Sequence, residues 1–348
     1  MIRSVLIARG AFGDIYEPAW VRALRELGVD AHLFDAHSLT GPGLLGRVER
    51  RLLWGPGIVR IQRALETRLR QLRPQVLLLY QGHYYPAEVV QRLRALTFVT
   101  GCHNDDPFGT RGGLLRYRHL LPALPHYQGY HVYRPVNVAE ALAYGIPRVD
   151  VMPPYFIPWL DYPRQLTQEQ QSRFDADLIF AGHAEPDDRM ACITAAVRRG
   201  YRFRVYGGER EWRKTLPKEI FRQVGKTIHL DLEHYRQALC SARIGVCFLS
   251  KWNRDIYTRR VFEIPACGVF LLSERTPWLT EMFREGHDAE FFSSPEEFVD
   301  KAGYYLQHTQ KREQIALAGY QRVWATGQDI HARLRCWLEQ VTSWYQEP

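Results

Sequence analysis

The stretch SVLIARGAFGDIYEPAWVRALRELGVDAHLFD, residues 4–35, sets out the fold in miniature. SVLIA is a short run, apolar after Ser4; a glycine-bearing loop follows, then WVRALRELG, whose apolar residues recur at helical spacing, and AHLFD is a second short run. Leu27-Gly28 is a common helix stop, because glycine accepts the left-handed conformation there. Strand, helix, strand in this order calls for parallel pairing with a crossover helix. The runs are apolar throughout rather than alternating, as strands buried on both faces are.

The same rhythm repeats outward. QVLLLY (75–80) leads through AEVVQRLRAL to TFVTG, and VAEALAYG (138–145) leads to VDVM (149–152). PPYFIPWLDYPRQLTQEQQSRFD (153–175) interrupts it with prolines and a polar Gln-rich run, as an interdomain linker does. The rhythm restarts with DLIFAG, RMACITAAVRRG, YRFRVYGG, TIHLDL, YRQALCSA, IGVCFLS, RVFEIPACG, VFLLSE and AEFFSS. After Glu296 the pattern is helical up to Trp344 and Tyr345. The expected class is α/β, with two Rossmann-like domains at 1–155 and 177–328, a linker at 156–176 and a closing helix at 329–348.

Length agrees, since 348 residues make about two domains at roughly 150 each. With 46% hydrophobic and 24% charged residues the chain is an ordinary globular one, which excludes disorder, collagen and coiled coil. Six cysteines without a C-x-x-C spacing read as reduced thiols rather than a zinc site or disulfide framework. The first apolar run is cut by Arg9 and is too short for a signal peptide, and no run approaches the ~20 residues that span a bilayer. The expected location is the cytoplasm, with contact at the inner face of the membrane.

That contact comes from charge. The net charge is +8, and much of it lies between Gly41 and Pro74, where arginines 47, 50, 51, 60, 63, 68, 70 and 73 face only Glu49 and Glu66. Leucines and isoleucines are interleaved at helical spacing. The segment reads as a solvated helix pair, as a dock for anionic lipid or a lipid-pyrophosphate acceptor, or as a nucleic-acid contact, for which no motif is present.

In open α/β sheets ligands bind beyond the carboxyl ends of strands, and the cleft between two such domains is the default site. RGAFGD (9–14) is not G-x-G-x-x-G, and no G-x-x-x-x-G-K-[ST] occurs, so neither the NAD nor the P-loop reading has support. Lys251-Trp-Asn-Arg254-Asp255 follows IGVCFLS, and Glu263 comes eight residues after Asp255. The cations suit a diphosphate and the carboxylate suits a hydroxyl pair such as a ribose diol.

At these residues the chain resembles a known family. RVFEIPACG (260–268), LSERT (272–276) and FFSSPEEFVDKAGYYL (291–306) look like the C-terminal half of the spore-maturation (CgeB-like) glycosyltransferases, and more widely the group 1 glycosyl transferases. FAGH (180–183) with Arg189, and Val205-Tyr206-Gly207 with Trp212, extend the likeness. GAFGD (10–14), CHNDDPFG (102–109) and NVAEALAYGI (137–146) match more loosely. The resemblance implies a metal-independent GT-B enzyme without cofactor. Its two domains would face each other across a cleft, the C-terminal helices crossing back to the N-terminal domain, with a UDP-, GDP- or dTDP-type nucleotide-sugar donor on the C-terminal domain and a hydroxyl acceptor on the N-terminal one.

Donor binding would then fall to Gly182, His183, Arg189, Tyr206, Gly207, Lys251, Arg254, Tyr257, Arg260 and Glu263. Relatives that retain configuration carry E-x7-E, matched here as Asp255-x7-Glu263, with Glu263 on the ribose and Asp255, one methylene shorter, near the sugar. His103 matches a histidine that faces the donor sugar. Asp14, His103, Asp105 and Asp106 are the titratable groups available as a general base, while arginine and lysine would stabilise the leaving diphosphate.

Each residue also has a plainer reading. Glu263 could pair with Arg260 inside the fold, Glu274 could be a helix N-terminal charge, and Asp105-Asp106-Pro107 could form a turn. Lys251 and Arg254 could be solvated, His103 and His183 structural, and Trp212 simply packed. Rivals to glycosyl transfer are a nucleotide-sugar epimerase on the same fold and a non-enzymatic two-lobed binding protein.

Overall fold

In the computed structural model, which describes residues 1–10, 15–40, 43–109, 113–225 and 227–347, the apolar runs form two parallel sheets. β1 (Ser4–Ala8), β2 (Asp30–Phe34), β3 (Val76–Tyr80), β4 (Phe98–His103), β5 (Gly129–Val132) and β6 (Val149–Val151) lie in the order β2-β1-β3-β4-β5-β6. β7 (Ala176–Ala181), β8 (Phe203–Tyr206), β9 (Ala242–Cys247), β10 (Phe270–Glu274) and β11 (Glu290–Phe292) lie in the order β11-β10-β9-β7-β8. The chain divides into two units, Met1–Pro153 with Ile330–Pro348, and Pro154–Asp329.

Each sheet reverses its winding once, between β1 and β3 in the first unit and between β7 and β9 in the second. Loops diverge to opposite faces at such a point and leave a crevice at the carboxyl ends of the two strands. That rule singles out the loops after Ala8 and Tyr80, and those after Ala181 and Cys247.

The helix Tyr16–Glu26 ends where the sequence predicts. Gly28 has φ 83°, Val29 N–H donates to Leu24 O at 2.9 Å and Gly28 N–H to Arg25 O at 3.0 Å, which closes a Schellman cap. Its apolar face carries Trp20, which packs edge-on against Trp337 of the helix Ile330–Gln346 with ring centroids 5.3 Å apart. Trp344 of the same helix covers His131 of β5 at 4.8 Å.

Three expectations differ. The stretch 156–176, read as a linker, packs into the second unit: Phe156 and Ile157 are fully buried, and a Thr167/Gln170 capping box opens the helix Gln168–Phe174. TIHLDL joins neither sheet, although its Ile228 carbonyl accepts Gly207 N–H at 3.1 Å. β5 has no counterpart among the apolar runs, because its four residues, GYHV, include a histidine.

Candidate functional site

The switch point of the second unit assembles most of the expected donor residues. β7 ends in Ala181, and Gly182 N–H continues the ladder to Tyr206 O at 2.9 Å. Gly207 has φ 151°, and a Cβ there would run into the Gly182 carbonyl and the Trp212 indole. Trp212 Nε1–H in turn donates to Gly182 O at 3.2 Å. Trp212, fully buried, therefore packs as a prop beneath two backbones held in close approach. His183 stands at the open end of β7, 65% exposed in its side chain, with Nδ1 3.3 Å from Glu211 Oε2. Tyr206 is buried, which raises its pKa against the pull of Arg204 and Arg173.

The loop after β9 is a closed turn. Asp255 N–H donates to Ser250 O at 2.9 Å, Ser250 N–H returns to Asp255 Oδ2 at 3.3 Å, and Arg254 sits at φ 52°. Asp255 thus holds the turn that carries the exposed Lys251 and the half-buried Arg254. Lys251, 58% exposed, lies 3.3 Å from Glu274 Oε2. That oxygen also accepts Leu249 N–H at 2.7 Å. Glu274 ends β10 rather than starting a helix, and burial raises its pKa against these two contacts.

Other expected residues are engaged within the fold. Arg189 is buried, not open to a diphosphate: Nε and Nη2 hold the two Asp187 oxygens at 2.7 and 2.8 Å, Nη1 donates to His183 O at 2.8 Å, and Nη2 donates to Leu249 O at 3.1 Å. It ties the loop after β7 to the loop after β9. Arg189 and Arg260 both lie over the Phe180 ring, at 5.8 and 5.7 Å. Tyr257 is fully buried against Trp278, with centroids 4.5 Å apart.

Glu263 does not pair with Arg260. Its Oε1 lies 3.0 Å from Arg259 Nε and accepts Arg236 Nη2 at 3.3 Å, and its Oε2 accepts the Tyr235 hydroxyl at 3.3 Å. Asp161 closes the group, taking Arg236 through Nε (2.9 Å) and Nη2 (2.7 Å) and Arg259 through Nη2 (2.9 Å). Two buried carboxylates and two guanidiniums thus form a neutral box. Burial works to raise the Asp161 pKa, but Arg259 and Arg236 outweigh it and the net shift is downward. No pattern in the sequence marks Asp161 or Arg236 as members.

In the first unit, Asp14 lies outside the described residues. His103 ends β4, fully buried, and Nδ1 accepts Asp105 N–H at 3.0 Å. Burial, assisted by Arg116, lowers its pKa to about 3. His83 and Tyr117 flank it, with ring centroids at 5.2 and 5.4 Å. Asp105 is paired with Arg116. Asp106 is a turn residue: Oδ1 accepts Phe108 N–H (3.1 Å), Gly109 N–H (3.0 Å) and Asn137 Nδ2 (2.9 Å). His83, Arg116 and Tyr117 were not legible as neighbours of His103, since they reach it from separate loops. Among the described residues no group of three His, Cys, Asp or Glu side chains is placed to hold a metal ion.

Residues 189–339 match the family model described as glycosyl transferase-like. No curated protein matches the sequence. Among solved structures, sucrose-phosphate synthase from Thermosynechococcus elongatus superposes with a TM-score of 0.71 at 12% identity, over 98% of this chain and 99% of that one. HepE of Anabaena, solved with UDP and glucose, gives 0.67 at 11% identity over 99% and 100%. A glycosyltransferase from Rickettsia africae gives 0.67 at 11% over the whole of both chains.

Proposed function

We propose that the chain is a glycosyltransferase that moves a sugar from a nucleotide-sugar donor to a hydroxyl of a glycan, lipid-linked saccharide or protein, a reading supported by its glycosyl transferase-like segment and its GT-B fold. The carrying observation is the β7/β9 switch point. There Gly182, His183, Gly207, Lys251 and Arg254 gather at the carboxyl ends of neighbouring strands. The UDP and UDP-glucose complexes of HepE support a nucleotide-sugar donor.

In this reading Lys251 and Arg254 meet the diphosphate and offset the charge that grows as the sugar–phosphate bond breaks. Arg189, Asp255 and Trp212 position the loops that carry them, and Glu263 stiffens the helix Arg260–Ala266 through its box. No step requires a metal. His103, fully buried with its pKa lowered to about 3, takes up no proton in this reading.

We assign retention of configuration. Three of the four candidate bases are engaged: His103 by Asp105 N–H, Asp105 by Arg116 and Asp106 by its turn. The departing diphosphate then accepts the acceptor proton during front-face attack. The competing reading is inversion with Asp14 as base.

A thermal-shift series with UDP, GDP, dTDP, ADP and CMP tests the donor site. A ligand at 100 times its Kd adds about 2.7 kcal/mol, so one nucleotide raises the Tm of the wild type and raises it less in Lys251→Ala. No shift with any nucleotide overturns the assignment. Product configuration, read by NMR, separates retention from inversion.

A further inference from the structure

The helix Leu44–Leu52 lies on the fold the wrong way round. Gly46 is its one buried residue. Glu49, near the same side, accepts Gly57 N–H at 2.9 Å, and Arg50 reaches the Thr40 hydroxyl. The polar side is therefore fastened to the protein. Leu44, Val48 and Leu52 recur four residues apart on the opposite side with Leu45 beside them, so the apolar stripe faces outward. Leu44 is 70% exposed, Leu45 82%, and Trp54, in the turn beyond the helix, 70%.

The rim of this patch is basic. Arg47 and Arg51 flank the stripe on the helix itself, and Arg60 and Arg63 stand exposed on the next helix, Pro56–Leu72. The turn between the helices is rigidly held, since Leu53 is buried and its carbonyl accepts Arg118 Nη2 at 3.0 Å and lies 2.8 Å from His119 Nε2. No helix among the described residues is long and apolar enough to cross a membrane.

We propose that this face is a docking surface for an anionic lipid bilayer, with Leu44, Leu45, Val48, Leu52 and Trp54 entering the headgroup–acyl boundary and the arginines contacting lipid phosphates. Outward leucines ringed by arginines, with a tryptophan at the edge, match the chemistry of that interface: apolar below, anionic at the level of the guanidiniums. A hydrophobic protein partner has no need of the arginine rim, and a nucleic acid has none of the leucines. The dock rests on the glycosyltransferase reading only for its purpose, which is to bring the enzyme to a lipid-linked acceptor.

The test is cosedimentation of the full chain with vesicles of phosphatidylglycerol and phosphatidylcholine, and with phosphatidylcholine alone. The wild type partitions at least tenfold more onto the anionic vesicles, and less in 0.5 M salt, on the order expected for screened surface charge. Leu45→Glu with Trp54→Glu, and separately Arg47→Glu with Arg51→Glu, each lower that partition at least tenfold while the circular dichroism spectrum is unchanged. Equal binding to both vesicles, or unchanged binding by either pair, overturns the proposal. So does a wild-type dimer that Leu45→Glu turns into a monomer without any vesicle binding, which would make the face a contact between two copies. The assay reads no turnover, and nucleotide thermal shifts on the same proteins show separately whether the donor reading stands.

Discussion

His103 Nδ1 accepts the backbone N–H of Asp105, two residues further along the chain, at 3.0 Å. Burial, assisted by Arg116, keeps the ring neutral down to about pH 3. Replacing His103 with alanine removes a ring packed against His83 and Tyr117 and lowers stability by about 2–5 kcal/mol, which thermal unfolding measures. The wild-type pH profile of kcat/KM between 5 and 8 carries no inflection that His103→Ala abolishes. An inflection near pH 6.5 lost in the variant would make His103 a base.

Three histidines of the first unit are buried neutral. Burial alone lowers the pKa of His131 to about 3; burial, then His103 and Arg116, lower that of His83. The unfolded chain binds these protons near pH 6.5, whereas the folded chain binds them only far below. Stability is therefore complete above about pH 6.5 and falls as pH drops toward 3, each histidine adding a slope of about 1.4 kcal/mol per pH unit. His131→Phe removes one such slope, which urea unfolding at pH 7.5, 6 and 5 measures.

Glu263→Ala leaves Arg236 and Arg259 sharing Asp161, a buried excess of positive charge. Removing one partner of a buried pair costs about 3–5 kcal/mol. Glu263→Gln, which keeps the acceptor oxygen, costs less. Thermal unfolding of both variants without nucleotide checks this, and equal Tm values for Glu263→Ala and wild type would show that the box contributes nothing.

Gly207→Ala places a Cβ against the Gly182 carbonyl at a φ that side chains rarely adopt. The substitution costs about 1–3 kcal/mol and shifts the loops after β7 and β8. Nucleotide affinity falls at least tenfold, by calorimetry, while Gly200→Ala, where a Cβ meets nothing, leaves affinity unchanged.

Much of the fold was legible because its strands are buried on both faces: VLLLY and VFLL have no polar break to confuse them with a loop. GYHV escaped because His131 breaks the apolar run, and the cover of Trp344 and Trp337 explains why a histidine is tolerated there. At the site, residues that share a loop were read together, as with Lys251, Arg254 and Asp255. Partnerships across the sequence were not: Glu263 was set against Arg260 on its own helix, whereas Arg236 and Asp161 come from elements 27 and 102 positions earlier. Local spacing shows which face a charge occupies but not what the tertiary fold brings to it.

The edge-on pair of Trp20 and Trp337 also orders events on the ribosome. The second unit, Pro154–Asp329, has been synthesised in full before Trp337 is made. Trp20 waits 317 residues for its partner, on the order of 15–60 s at the usual pace of synthesis. The first unit is thus interrupted in sequence by the whole of the second, and its Trp20–Trp337 contact can form only after every residue of the second unit has been joined to the chain.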